Sequence, residues 1–220
     1  MHWYWIVGIA AVFFVGLPLL AGGLQVFAFM GASVRRMEPE QEAVTRLAAE
    51  QEIGAGFLND SGFAFVGAYA VKTAVNECGA VMWRQGQDPA FIAGLLVPGA
   101  KQMHIDIESV LSWERGITVT TGTAKDGHVL PKPRGGYVQT FSGKTMPVMW
   151  ALHQEAEGAV AEKHGVDVEG LDLDAGEVLE RSIRADARYV ASRPWLMLAM
   201  VWRYWVGRHL LHETKVADRV

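Results

Sequence analysis

The sequence is poor in the residues that staple or coordinate a small fold. It has one cysteine, Cys78, among 220 residues. No disulfide can close within the chain, and a cysteine-rich zinc module is excluded for the same reason. Basic excess is also missing: 20 Lys+Arg stand against 24 Asp+Glu, a net charge of −4, whereas a dedicated nucleic-acid binder is normally basic. Charged residues make up only 20% of the chain and hydrophobic residues 50%, too apolar a balance for wholesale disorder. No internal repeat at a fixed period is visible. The length suits one domain with an additional element.

What the chain does have is a long uncharged opening. No Asp, Glu, Lys or Arg occurs from Trp3 to Val34. As a helix, residues 3–24 would rise roughly 33 Å, against a hydrocarbon core of about 30 Å. A lone segment in lipid satisfies its backbone only as a helix, and Pro18 is expected to kink it. Trp3, Tyr4 and Trp5 cluster at one end, where amphipathic rings favour the lipid–water boundary. The reading is a retained single-pass transmembrane helix rather than a cleaved leader or a buried hairpin. Arg35 and Arg36 follow at once, so the positive-inside rule sets the amino terminus outside and the remainder in the cytoplasm, at the cell (inner) membrane.

Charge is also uneven. Residues 181–220 hold eight basic and three acidic side chains, +5, which leaves −9 on residues 1–180. Within the basic part lies an apolar stretch, residues 194–212, with Pro194 suited to a first helical turn and Ser192 to its cap. Trp195, Trp202 and Trp205 share a helical face, flanked by Arg203 and Arg208. The stretch is too short before Arg203 to span a bilayer. Its tryptophans and arginines suit an interfacial helix with rings at the headgroup boundary and guanidinium groups at phosphates.

Between these ends, Glu38–Ile53 reads as a helix with a stripe of Ala43, Val44, Leu47 and Ala48, ended by Gly54 and Gly56. Apolar segments at 62–75, 79–85, 90–97, 103–112 and 117–124 are separated by short turn-like stretches, and Tyr137–Phe141 adds a sixth. Short connections predict an antiparallel meander of five to six strands. Helices follow at Thr145–His164, with Pro147 in its first turn and Gly165 at its end, and at about 175–193. The expected class is α+β, with helices over one sheet face. The expected divisions are a 1–34 anchor, a 35–57 juxtamembrane helix, a 58–193 cytoplasmic domain, and a 194–220 basic helix and tail.

Few groups suggest chemistry. Ser142-Gly143-Lys144-Thr145 resembles the end of a phosphate-binding loop, but Val138 stands where the motif needs its first glycine. It is read as a turn before a helix. His104, Asp106 and Glu108 alternate along one strand face, a weak metal-ligand candidate more simply read as a solvated face. His153 and Glu157, four apart on one helix, are the best candidates for a general acid/base pair. Cys78 shows no activating neighbour. No cofactor or metal is implied. The expected function is a single-pass membrane protein whose cytoplasmic α+β domain acts as an accessory or scaffold subunit. Its partners would be the lipid bilayer and another membrane protein, with no nucleic acid. The alternative is a membrane-tethered enzyme or lipid-like ligand binder with a pocket between sheet and helices, lined by His153 and Glu157.

Overall fold

The strand-forming segments of the middle of the chain join into one seven-stranded sheet with strands in sequence order. A computed structural model describes residues 3, 16–74, 76–86, 90–96, 103–123, 131–167, 174–193, 195–199 and 215–220. In chain order the elements are α1 (Leu17–Met30), β1 (Ser33–Arg36), α2 (Pro39–Ile53), α3 (Ala55–Asp60), β2 (Phe63–Lys72), β3 (Glu77–Gln85), β4 (Ala90–Leu96), β5 (His104–Ser112), β6 (Ile117–Gly122), β7 (Gly136–Thr140), α4 (Met146–His164) and α5 (Ala175–Ala191). The architecture is α+β, with a mostly antiparallel sheet and helices.

Two features of the sheet depart from the expected meander. It has a seventh strand, β1, made from Ser33-Val34-Arg35-Arg36 and paired antiparallel to β2. A short charged segment with no apolar alternation gives no strand signal of its own; its pairing with β2 creates it. The pair β6–β7 is parallel. The connection through residues 123–135 supplies the dozen or so residues that a parallel return requires.

Both faces of the sheet are covered, not one. On the first face Ala68, Val81, Trp83, Ile92, Ile105 and Ile107 meet Ala49 and Ile53 of α2, Leu58 of α3, and Met146, Met149 and Trp150 of α4. On the second, Tyr69, Val71, Ala80, Met82, Phe91 and Ala93 meet Ala175, Val178 and Leu179 of α5. The helix ends follow their local chemistry. Pro39 and Pro147 occupy first turns, where a missing N–H costs nothing. Asp174 caps α5 by accepting from the N–H groups of Gly176 and Glu177. Gly165, at φ 56°, closes α4 in the left-handed region. Ser192 ends α5, its hydroxyl donating to the Tyr189 carbonyl, rather than starting a following helix.

The stripe expected on α2 is rotated. Thr45, Ala49 and Ile53 are buried, whereas Val44 and Leu47 are 71% and 59% exposed. The cause lies in the sheet. A Cβ at Gly94 would stand 2.7 Å from Met103 Sδ and 3.2 Å from Ala49 Cβ, and one at Gly79 would stand 2.8 Å from Met37 Cε. The helix therefore lies close against a glycine floor, and only small side chains fit beneath it.

The opening segment is seen in part. α1 is fourteen residues, Leu17–Met30, and residues 4–15 lie outside the described residues. Among the described residues no helix is long and apolar enough to cross a membrane. One side of α1 packs on α5, with Val26 against Val190, and Arg184 Nε donates to the Ala32 carbonyl at 3.0 Å. Of the apolar stretch 194–212, residues 195–199 are helical and residues 200–214 lie outside the described residues. The terminal residues return to the domain: Val216 is buried with Val119 and Val160, and Lys215 pairs with Glu155 at 3.1 Å.

Because α2 leans on Gly94, Gly94→Val should lower unfolding free energy by about 1–3 kcal/mol through overpacking. Urea denaturation followed by tryptophan fluorescence checks this. A variant as stable as the parent would contradict the close approach.

Candidate functional site

The polar side chains with a claim to chemistry lie on or over β5, one group on each face. On the face under α4, Ser109 Oγ is 2.7 Å from His153 Nε2, and Thr121 Oγ1 is 2.9 Å from His153 Nδ1. Gln139 Nε2 donates to Thr121 Oγ1 and to the Leu152 carbonyl, each at 2.9 Å. The Val216 N–H donates to Gln139 Oε1 at 2.8 Å. The cluster thus joins β5, β6, β7, α4 and the chain's last residues.

A serine hydroxyl against a histidine nitrogen is the geometry of an activated nucleophile. The surroundings oppose that use. Ser109, Thr121 and His153 are 0% exposed, so no substrate reaches them. Burial lowers the His153 pKa to about 3, so the ring is neutral at pH 7 and too weak a base to hold a proton there. Its Nδ1 faces a hydroxyl, not the carboxylate that would stabilise an imidazolium. As a neutral ring it can donate at one nitrogen and accept at the other. Two hydroxyls therefore satisfy it completely and tie α4 to the sheet. Glu157, its expected partner, is buried on the same helix, while hydroxyls stand at both ring nitrogens.

On the opposite face, His104, Asp106 and Glu108 do share a row, as the alternation implies. The row is half-buried rather than fully solvated, and α5 reaches its Glu108 end. Ser182 Oγ of α5 donates to Glu108 Oε1 at 2.9 Å. Lys132 Nζ lies 2.8 Å from Asp186 Oδ2 and 3.7 Å from Glu108 Oε1. Among the described residues no group of His, Cys, Asp and Glu could hold a metal ion, and the cation between these carboxylates is the lysine. Sequence spacing found the β5 row but missed Lys132 and Asp186. They come from distant segments, and only Asp186's place on an otherwise apolar face of α5 hints at a partner.

The residues expected to meet a membrane are partly in view. Trp3 and Trp195 are exposed. Arg35 is exposed and pairs with Glu77 at 3.3 Å, and Arg36, also exposed, donates to the Val66 carbonyl at 3.4 Å. Tyr4, Trp5, Trp202, Arg203, Trp205 and Arg208 lie outside the described residues. The structure adds a feature that composition hides. Leu17, Leu20, Leu24, Phe27 and Met30 of α1 are 43–72% exposed and recur at spacings of three and four, so they form one stripe on the side away from α5. α1 also touches the second apolar segment, since Gly23 lies beside Met197.

A groove of about 490 Å³ opens between α2 and the ends of β2, β3 and β4, lined by Met37, Val44, Ala70, Gly79 and Leu96 with Glu40 and Glu77. Neither His153 nor Glu157 lines it. Cys78 borders it, but strand alternation sends its side chain to the other face, where it packs beside Val71. Its thiol pKa is raised by burial, so it is a poor nucleophile. No protein-family model, curated protein or solved structure matches the chain.

The neutral His153 has a signed consequence. Its folded pKa is below the free value of 6.5, so its contribution is complete above that value and is lost as pH falls. The stability advantage of wild type over His153→Gln should shrink by about 2 kcal/mol from pH 7 to pH 5. Parallel urea titrations of the two proteins measure it, and a constant gap would show the ring is not held neutral.

Proposed function

We propose that the protein is held in a membrane by its apolar amino-terminal run and that its α+β domain works there as an accessory or scaffold subunit of a membrane assembly. The carrying observation is the exposed α1 stripe of Leu17, Leu20, Leu24, Phe27 and Met30. A contiguous row of large apolar side chains in water is costly, and such a row marks a surface meant for lipid or protein. The stripe continues the uncharged run that begins at Trp3. Exposed Trp195 stands on the segment packed against α1, and a ring of this kind suits the headgroup boundary. Only Gly31 and Ala32 separate α1 from β1, so a membrane holding α1 would hold the sheet edge within a few residues of its surface. Arg35 and Arg36 on that edge favour the cytoplasmic side of the inner membrane, with the amino terminus outside. The burial of His153, the best catalytic candidate, also favours a non-enzymatic role.

The full chain should float with vesicles containing phosphatidylglycerol and resist extraction by alkaline carbonate. Replacing Leu20, Leu24 and Phe27 together by Gln should cut the membrane-bound fraction at least about tenfold. Wild-type protein left at the bottom of the gradient would reject the proposal.

The groove favours a second reading, a membrane-tethered binder of a lipid-like small ligand. Its volume falls in the range of small-molecule sites, and Met37, Val44 and Leu96 give it an apolar lining. Titration with a fluorescent fatty acid should then saturate, and Val44→Glu should weaken binding about tenfold by placing a charge in the apolar lining. Equal affinity in the variant would remove the groove from consideration.

A further inference from the structure

α1 and α5 run side by side in opposite directions. Glu180 accepts from the Val34 N–H at 3.0 Å, Arg184 donates to the Ala32 carbonyl at 3.0 Å, Val190 packs with Val26, and Met197 stands beside Gly23. Each step along α5 towards its end is therefore a step back along α1 into the uncharged run. The charges on α5 change along the same path. Glu177 pairs with Arg181, Glu180 with Arg184, and Asp186 with Lys132. Beyond Asp186 no acidic residue occurs before Glu213, and from Ala187 to Trp202 the charged residues are Arg188 and Arg193 alone.

Arg188 is exposed, on the row that Arg181 and Arg184 begin. Arg193 is half-buried, its guanidinium 4.4 Å from the Tyr189 ring centroid and its Nη1 donating to Ser192 Oγ at 3.0 Å. Stacking and that bond hold a planar donor fork in place before any ligand arrives. Arg193 falls between the levels of Val26 and Gly23 on α1, and exposed Trp195 follows two residues on. The helix dipole favours a basic residue such as Arg188 in the last turn of α5, but it gives no reason for a second one past the helix end or for the lack of acid. A charge is costly in hydrocarbon. A membrane that takes up Leu17, Leu20 and Leu24 therefore has its headgroups at the level of these arginines. From that level back to Trp3 the sequence is uncharged over roughly the length that crosses a hydrocarbon core.

Taking α1 as membrane-held, the reading proposed above on which this rests, we propose that Arg188 and Arg193 bind the phosphates of anionic phospholipids beside α1, with the Tyr189 and Trp195 rings at the same headgroup boundary. Phosphatidylcholine offers the same phosphate with its charge cancelled by choline. Two guanidinium groups in a stretch without acid favour a headgroup of net negative charge, by about fivefold for each arginine.

Native mass spectrometry of the full chain, in detergent micelles doped with equal phosphatidylglycerol and phosphatidylcholine, tests the site. Wild type should retain phosphatidylglycerol over phosphatidylcholine by at least about tenfold. Arg188→Gln with Arg193→Gln should bring the ratio near one. Because Arg188 is exposed, Arg188→Gln alone should fold and lower the ratio about fivefold. Arg115→Gln with Lys163→Gln removes the same charge beside the end of α4 and should keep the preference. The site is overturned by a ratio near one in wild type, by an unchanged ratio in either folded α5-end variant, or by loss of the preference in the α4-end variant. Flotation with phosphatidylcholine vesicles separates the lipid site from the anchor. Wild type and the double α5-end variant should both float, because α1 carries the apolar stripe. Wild type that floats without a lipid preference rejects the site and leaves the membrane reading standing; wild type that does not float rejects both.

Discussion

Strand β5 is buried on the face under α4 and half-buried along its polar row on the other, and its polar side chains find partners in the helical layers above and below it. An unpaired polar group in such a place costs on the order of 1–3 kcal/mol. The helices answer this requirement from each side. α4 brings His153 to Ser109, and α5 brings Ser182 to Glu108. The apolar layers would tolerate some sliding of a helix along the sheet, but these bonds do not. They fix the register of each layer, which is the use of buried polar groups best supported by physical argument.

The two faces solve the problem differently. Under α4 the solution is neutral: a ring with one donor and one acceptor between two hydroxyls, extended through Gln139 to the backbone of Val216. Such a network needs no counter-charge, and it pins the end of the chain to the core. Under α5 the solution is ionic, with Lys132 between Glu108 and Asp186. Desolvation of charge is expensive, and here the ion pairs of Lys132 offset part of it.

Among the described residues, surface and interior divide unusually. Groups capable of chemistry, Ser109, His153 and Glu157, are sealed. Large apolar groups on α1 and α2 are exposed: the Leu20, Leu24 and Phe27 stripe, and Val44 beside the groove. Val44 is outside because the glycine floor of Gly79 and Gly94 admits only Thr45 and Ala49 beneath α2. Exposed apolar rows with buried polar networks suit a protein that works by contact, which is the ground of the scaffold proposal.

By itself the sequence determined the local elements. Apolar segments between short turns marked β2 to β7, and Pro147, Gly54 and Gly165 marked helix ends, because strand pleat, fixed proline φ and glycine's freedom at positive φ act over a few residues. It also showed that His104, Asp106 and Glu108 share a row. Only the tertiary structure decided what is over that row, since Lys132 and Asp186 arrive from distant segments. Tertiary packing likewise decided the strand formed by Ser33–Arg36, the parallel entry of β7, the rotation of α2 and the sealing of His153. Each of these depends on which surface a segment meets, and that is a property of contacts across the fold rather than of neighbours along the chain.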